Sequence, residues 1–357
     1  MIQKESVAYE ILQLLSMTGE IGDGLLKIVI PQLEYRKKVL QKLKAENMIT
    51  KYYKDNLKGY RLTITGKRFI LQNYSNRFEY FLKSNADSSM RRSDKSHRLR
   101  QHRISEILAV IYLSDIDIFR DKKPNIFQKQ EKDMKNINFI NPAFFIAKEL
   151  KDMGSFSTKI ISSRLIGLWL NNKSIWICYH YDSMNSWFSN IEKRADIFIR
   201  SLLKRYEYTN SVLFYNNSFT ELYSDNSKLW ANILQSPSKK SCCVPINDKG
   251  IILLKLISNN KKYEYLIDIL KEDLIEFNNS KVINDGYNQN EEPVLILIDF
   301  DIKKLLSFIT QLRYTKQNGE IICFDFQKED ISKYCNETVK ISTVDFEVFR
   351  ENFFPKN

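Results

Sequence analysis

One stretch of the chain, residues 32–67, restricts the possible folds more than any other. Within it, Val39, Leu40 and Leu43 recur at helical spacing and give a predicted helix one apolar face. Two strand-like segments follow directly and are joined by the turn-forming residues 55–59. The sequence therefore predicts a helix that leads straight into a two-stranded hairpin.

Two further helices are predicted ahead of this stretch. Residues 6–17 carry apolar side chains at helical spacing, and residues 23–29 form a second short helix after a glycine break. Behind the hairpin, Thr65 is placed to cap a fourth helix over residues 66–74. Three helices, a hairpin and a closing helix predict a winged helix-turn-helix over residues 4–74.

Positive charge is concentrated in the first third of the chain. The whole sequence has a net charge of +12, from 55 Lys and Arg against 43 Asp and Glu, and the first 110 residues hold +10 of it. A compositional bias of the source would spread the charge evenly along the chain. A localised basic face indicates a polyanionic partner.

The outward face of the predicted third helix and the hairpin supply the candidate contacts to double-stranded DNA. A second basic segment, residues 91–103, follows them and is suited to track the phosphate backbone or to enter the minor groove. Two alternatives stay open, namely a winged helix used for protein contact and a basic segment that is ordinary solvated surface. The predicted DNA-binding residues are Tyr35, Lys37, Lys38, Gln41, Lys44, Lys54, Lys58, Arg61, Arg91, Arg92, Arg98 and Arg100.

The rest of the sequence is typical of an α/β domain. Residues 164–170 and 174–181 are apolar runs that predict a hairpin, and we interpret its tryptophans as core packing in preference to base stacking or a partner surface. Residues 293–299 and 320–326 are continuous apolar strands around a helical segment, which indicates parallel pairing in a covered sheet. The predicted fold class is thus α/β (α+β overall). The predicted domains are a winged helix-turn-helix at 1–85, a basic linker at 86–103 and a mixed-sheet α/β domain at 104–357.

Four carboxylates lie at or beside the ends of two predicted neighbouring strands: Asp299, Asp301, Glu320 and Asp325. Carboxylates so placed suit a divalent cation for phosphodiester cleavage, so a metal-dependent nuclease is one alternative function. The acid-x-lysine spacing that a restriction-nuclease-like core needs is missing. The five cysteines form no C-x-x-C pair, and the ten glycines form no phosphate-binding loop. We therefore predict no catalytic residue, no metal ligand and no cofactor.

The sequence also bears on location. No apolar run approaches the roughly 20 residues that a membrane-spanning helix needs. The first residues lack the basic-then-apolar layout of a signal peptide. The expected location is therefore the cytoplasm, with no membrane partner.

The order of winged helix, basic connector and α/β domain resembles the replication-relaxation family of Gram-positive plasmids and integrative conjugative elements. The residues that carry the resemblance are 40–49 and 60–66, His97-Arg98-Leu99 before an amphipathic helix, the hairpin 164–181 and the helix 192–203.

This resemblance implies a nuclease-like α/β fold, degenerate here because the acid-x-lysine is not intact. It also implies a role in plasmid replication, in conjugative mobilisation or in the control of either, with a replication or DNA-transfer protein as partner. A transcriptional regulator whose α/β domain serves oligomerisation or effector binding is the other open alternative. A homodimer is compatible with either role.

Overall fold

The structure is a computed structural model, and it divides into two compact units. The first unit comprises residues 1–144 and 246–251, and the second comprises residues 145–245 and 252–357. Helices alternate with mixed sheets, so the α/β class is confirmed. The structure describes residues 2–83, 94–124, 141–151, 164–171, 174–180, 189–202, 208–216, 238–276 and 282–355.

Three helices open the first unit in the predicted order: α1 (Val7–Thr18), α2 (Asp23–Val29) and α3 (Leu33–Ala45). Gly19 ends α1 in the left-handed conformation, with φ at 78°, which a residue without a Cβ adopts at little cost. Side chains on almost every side of α1 are buried. This helix therefore forms the centre of the first unit's core.

A two-stranded antiparallel hairpin follows α3 and consists of β1 (Ile49–Lys54) and β2 (Leu57–Leu62). Its turn contains only Asp55 and Asn56, which have φ angles of 53° and 57°. Left-handed backbone at both central residues is what a two-residue type I′ turn requires, and Asp and Asn tolerate it. The turn is therefore shorter than the predicted tip at 55–59.

Two longer helical segments complete this part of the unit: α4 (Ile64–Lys83) and α5 (Lys95–Leu113). α4 is kinked at Tyr74, whose backbone is not helical (φ −149°, ψ 70°). The hydroxyl of Thr63 accepts a hydrogen bond from the Gly66 amide at 3.0 Å and caps α4. The predicted cap, Thr65, is wrong because it lies inside the first turn. α5 begins within the range predicted as a linker, and the first compact unit continues past the predicted boundary at residue 103.

One sheet associated with the second unit has five strands that follow one another in chain order. The hairpin between the second and third strands is antiparallel as predicted, and the last three strands are parallel. The unit boundary lies within the first strand. The strands are β3 (Ala143–Ile146), β4 (Leu165–Asn171), β5 (Ser174–His180), β6 (Tyr208–Tyr215) and β7 (Ser241–Pro245), with the helices α6 (Ala147–Lys151) and α7 (Ser189–Leu202) between them.

The second sheet has four strands in the order β11-β10-β9-β8. The predicted parallel pairing of the strands at 293–299 and 320–326 is confirmed. The strands are β8 (Gly286–Tyr287), β9 (Pro293–Ile296), β10 (Gly319–Phe324) and β11 (Val339–Val344). The helices are α8 (Asp248–Ser258), α9 (Asn260–Lys271), α10 (Ile302–Thr315), α11 (Lys328–Ser332) and α12 (Phe346–Phe353).

The sequence did not predict β7, and it did not predict β8, β11 or α12 either. All five residues of β7 are buried, and it pairs in parallel with β6. The sequence predicts buried or incidental side chains at Cys242 and Cys243, and both are buried. A run of five residues with a proline at its end gives only a weak strand pattern. The sequence also predicts a helix over residues 218–234, and these residues lie outside the described ranges. Within the described ranges, no helix has both the length and the apolar character to cross a bilayer.

Candidate nucleic-acid interface

α3 presents a polar face to solvent. Val39 and Leu43 are its buried residues and anchor the helix to the core. On the opposite side, the side chains of Lys38, Gln41 and Lys42 are exposed. None of these three side chains makes a hydrogen bond or ion pair with another described residue. Their hydrogen-bonding capacity is therefore available to a ligand.

The remaining predicted contacts on α3 are partly engaged within the chain. Lys37 Nζ lies 2.7 Å from the carboxylate of Glu34, one helical turn away. Lys44 Nζ lies 5.3 Å from the ring centroid of Tyr60, a cation–π distance. Tyr35 is 49% exposed. An external anion would thus compete with Glu34 for Lys37, whereas Lys38 has no such competitor among the described residues.

The hairpin adds a second group of exposed side chains beside those of α3. Lys51, Tyr53 and Lys54 of β1 are exposed, and Tyr53 is exposed to 62%. Lys58 on β2 is only partly exposed, because its Nζ lies 3.2 Å from Asp23 at the start of α2. The predicted contacts Lys54 and Lys58 therefore both lie on the hairpin, and Lys58 already has an anionic partner.

A buried carboxylate holds the base of this hairpin. Glu20 is 0% exposed and follows α1, and three basic side chains converge on it. Arg98 Nη2 and His102 Nε2 from α5 each lie 2.8 Å from Glu20 Oε1. Arg61 Nη2 from β2 lies 2.6 Å from Glu20 Oε2. One carboxylate thus links the loop after α1, the hairpin and α5.

Arg98 also binds the hairpin backbone directly. Its Nη1 donates to the carbonyl of Lys54 at 2.9 Å, and its Nη2 donates to that of Leu57 at 3.0 Å. Tyr52 lies against the same cluster, with its ring centroid 3.7 Å from Arg61 Cζ and 4.6 Å from Arg98 Cζ. These carbonyls flank the two-residue turn, so Arg98 holds the turn against α5.

Two predicted DNA contacts must be corrected. Arg98 is 0% exposed and Arg61 is 9% exposed, and both are paired with Glu20. The guanidinium of Arg98 has no exposed surface with which to contact a phosphate, and that of Arg61 is nearly buried and bound to Glu20, so both side chains stabilise the fold. Arg100, two positions along α5, is exposed. Arg91 and Arg92 lie outside the described residues.

Sequence reasoning missed Glu20 altogether. The residue is a single acid in a glycine-rich turn, and nothing local marks it. The sequence contained one indication, the glycine at position 59 on β2. The Glu20 carboxylate can lie against the backbone there only because glycine has no side chain. A Cβ built at Gly59 would lie 2.2 Å from Glu20 Oε1. The glycine therefore permits the close approach of the carboxylate to the hairpin.

The cluster makes the first unit sensitive to acid. Burial would raise the pKa of Glu20, but hydrogen bonds from His102, Arg98 and Arg61 outweigh burial and lower the pKa from 4.5 to about 2. A carboxylate with a lowered folded-state pKa stabilises the fold above its unfolded pKa, and this stability is lost as pH falls towards the folded pKa. The relevant window is therefore pH 4.5 to 2.

We predict that the Glu20→Gln variant is less stable than the parent at pH 6, and that the difference narrows towards pH 3. The physical reason is that acid protonates Glu20 in the parent and so removes its negative charge. The Glu20→Gln variant lacks this charge at every pH, so the two stabilities converge as pH falls. Thermal unfolding of both proteins at each pH measures the difference in melting temperature. An equal difference at pH 6 and pH 3 would show that Glu20 does not titrate in this window.

The four strand-end carboxylates do not form one group. Asp299 Oδ2 accepts from Tyr263 and Lys240, and Asp301 caps α10 by accepting from the Lys303 amide. Glu320 lies near the start of β10, whereas Asp325 follows its end. Within the described residues, no three side chains of Asp, Glu, His or Cys are placed to hold a metal ion.

No family model matches this chain, and no solved structure is significantly similar to it.

Proposed function

We propose that the first unit is a winged helix-turn-helix that binds double-stranded DNA. In this proposal α3 is the recognition helix and the β1–β2 hairpin is the wing. The order of three helices, hairpin and closing helix supports this assignment. The major groove is about 12 Å wide and admits an α-helix, which can then present its outward side chains to the base edges.

The observation that carries the proposal is the polar face of α3. Lys38, Gln41 and Lys42 are exposed and lack partners in the described structure, while Val39 and Leu43 fix the helix from behind. Lysines pair with phosphates as point charges, and glutamine can read an adenine edge through two hydrogen bonds. This face of α3 is therefore better suited to bind the phosphate backbone of DNA than to recognise individual bases.

The exposed lysines of the hairpin also support binding to DNA. Lys51 and Lys54 extend the positive surface beyond α3 to the neighbouring backbone. The buried Glu20 cluster holds that hairpin in place, so the hairpin backbone need not be ordered on binding. Pre-organised contacts lose less conformational entropy when the complex forms.

The cellular role is proposed from the resemblance to the replication-relaxation family. We propose that the chain acts on the DNA of a mobile element, in replication, in conjugative mobilisation or in their control. The second unit would then bind a replication or DNA-transfer protein. Binding at promoters would instead favour the role of a transcriptional regulator.

Two measurements test the proposal on the full-length chain. Fluorescence anisotropy with a labelled 30-bp duplex should show binding whose affinity falls steeply with salt, as phosphate contacts require. Sequencing of DNA fragments recovered with the protein should then show enrichment at origins of replication or transfer. Absence of duplex binding at low salt would assign the α3 face to protein contact instead.

A further inference from the structure

The two faces of the β1–β2 hairpin differ in what they contact. Successive side chains of a strand point to opposite sides, and residues paired across two strands share a side. Tyr52 and Arg61 lie on the face that the buried Glu20 cluster holds. Lys51 and Tyr53 lie on the opposite side. We call this second side the outward hairpin face, and it comprises Lys51, Tyr53, Lys58 and Tyr60.

Lysines and tyrosines alternate on the outward hairpin face. Strand register pairs Lys51 with Tyr60, and it pairs Tyr53 with Lys58. Along β1, Lys51 Nζ lies 5.8 Å from the ring centroid of Tyr53. Along β2, Lys58 Nζ lies 5.4 Å from that of Tyr60, and Lys44 Nζ from α3 lies 5.3 Å from the same ring. Three ammonium groups and two aromatic rings therefore occupy one continuous surface.

One of these two rings is open to solvent. Tyr60 is 2% exposed, with the ammonium groups of Lys44 and Lys58 over its ring. Tyr53 is 62% exposed. Its hydroxyl donates a hydrogen bond to Asn56 Oδ1 at 3.1 Å, which fixes the end of the ring to the turn. The Tyr53 ring is therefore oriented by the turn and still accessible to a ligand.

The stability of the hairpin does not explain the exposed ring of Tyr53. The contacts that hold the hairpin are made by its other face and by the turn carbonyls, through Arg61, Arg98 and Glu20. The cation–π contact between Lys51 and Tyr53 is exposed, and its 5.8 Å separation is close to the roughly 6 Å limit for such contacts. It therefore stabilises the fold little.

We propose that the outward hairpin face binds single-stranded DNA, with one base stacked on Tyr53 and neighbouring phosphates bound by Lys51 and Lys44. Bases in a duplex stack on one another, so an unpaired base is what can offer its face to an aromatic side chain. Lys51 and Lys44 are exposed and have no carboxylate partner among the described residues. Lys58 contributes less, because its Nζ lies 3.2 Å from Asp23.

Lys44 belongs both to this surface and to α3. Its side chain is exposed on the helix, and its ammonium lies over Tyr60 of β2. A strand bound on the outward hairpin face would therefore lie beside a duplex held by α3, as at a junction between paired and unpaired DNA. The choice of DNA over RNA rests on the proposed function of α3, whereas the stacking site on Tyr53 does not.

The test measures binding of the full-length protein by fluorescence anisotropy to three labelled probes at the same low salt. The probes are an oligothymidylate of about 20 nucleotides, which is longer than one such binding site, an oligouridylate of the same length and the 30-bp duplex. We expect saturable binding to oligothymidylate. Absence of that binding would make the proposal wrong, whatever the duplex does, and tighter binding to oligouridylate would overturn the assignment to DNA. Absence of duplex binding alone would contradict only the function proposed for α3.

Substitutions of Tyr53 locate the strand on the outward hairpin face. Tyr53→Leu removes the ring and should weaken binding to oligothymidylate by about tenfold or more, whereas Tyr53→Phe keeps the ring and should stay within about twofold of the parent. The matched control is Tyr265→Leu, because Tyr265 is 61% exposed but lies on α9 in the second unit. Equal affinities of Tyr53→Leu and Tyr265→Leu would contradict the proposed site.

The duplex probe separates stacking from a general loss of binding. Tyr53→Leu should reduce the affinity for the duplex far less than that for oligothymidylate, and an equal loss for both would overturn the assignment. Lys51→Ala keeps the test valid if Tyr53→Leu does not fold by circular dichroism. It should lower the salt slope for oligothymidylate by about 0.7 in magnitude, the value for one phosphate contact to a single strand. An unchanged slope would show that Lys51 does not bind the strand.

Discussion

The Arg98→Ala variant should lose about 3–5 kcal/mol of the free energy that holds the β1–β2 hairpin in the first unit. Arg98 has no exposed surface and pairs with Glu20, so its removal leaves a buried carboxylate with only part of its neutralising charge. The same substitution leaves the carbonyls of Lys54 and Leu57 without their donor. Both consequences act on the hairpin, although the substituted residue is on α5.

Hydrogen–deuterium exchange of the hairpin amides measures this loss of stability at the hairpin itself. A global unfolding measurement would combine the contributions of the two units. Exchange across residues 49–62 should become faster by roughly two to three orders of magnitude if these amides exchange through local opening. Arg100→Ala is the matched control, because Arg100 is the same residue type on the same helix but is exposed. If both variants exchange alike, the buried cluster does not hold the hairpin.

Removal of two lysines from α3 should weaken duplex binding more than any other pair of charge changes. We predict that Lys38→Ala combined with Lys42→Ala lowers the slope of log affinity against log salt by about 2 in magnitude, or about one unit per lost phosphate contact. At 100 mM salt the affinity should fall by roughly 10- to 100-fold. Lys37→Ala alone should have a smaller effect, because Lys37 is already paired with Glu34.

A double substitution in the second unit separates local contacts from net charge. Lys193 and Lys261 are both exposed residues of the second unit, so Lys193→Ala with Lys261→Ala removes the same charge from the chain without changing α3. This control should leave the salt slope unchanged. Anisotropy titrations at four salt concentrations give both slopes. Equal losses in the two double variants would mean that only the overall charge matters and that α3 is not the DNA-binding element.

The amino-acid sequence by itself determined the elements that depend on neighbours along the chain. The helical spacing of Val39 and Leu43 fixes which side of α3 is buried, and Asp55 and Asn56 favour the turn that follows. The apolar runs at 293–299 and 320–326 likewise indicate covered parallel strands, because both of their faces must be buried. Such patterns express local geometry, so they can be read without the fold.

Tertiary structure alone decided the role of each charged side chain. Arg98 and Arg100 stand in one basic segment and look alike in sequence, yet one is buried on Glu20 and the other is exposed. Glu20 and Arg98 are 78 positions apart, and no local pattern links them. Asn210 and Lys240 show the same limit, since the Lys240 amide donates to the Asn210 side chain only because β6 and β7 pair in one sheet. Whether a charged side chain is buried in an ion pair or exposed to a ligand depends on the residues that folding places beside it. Long-range packing determines which residues these are.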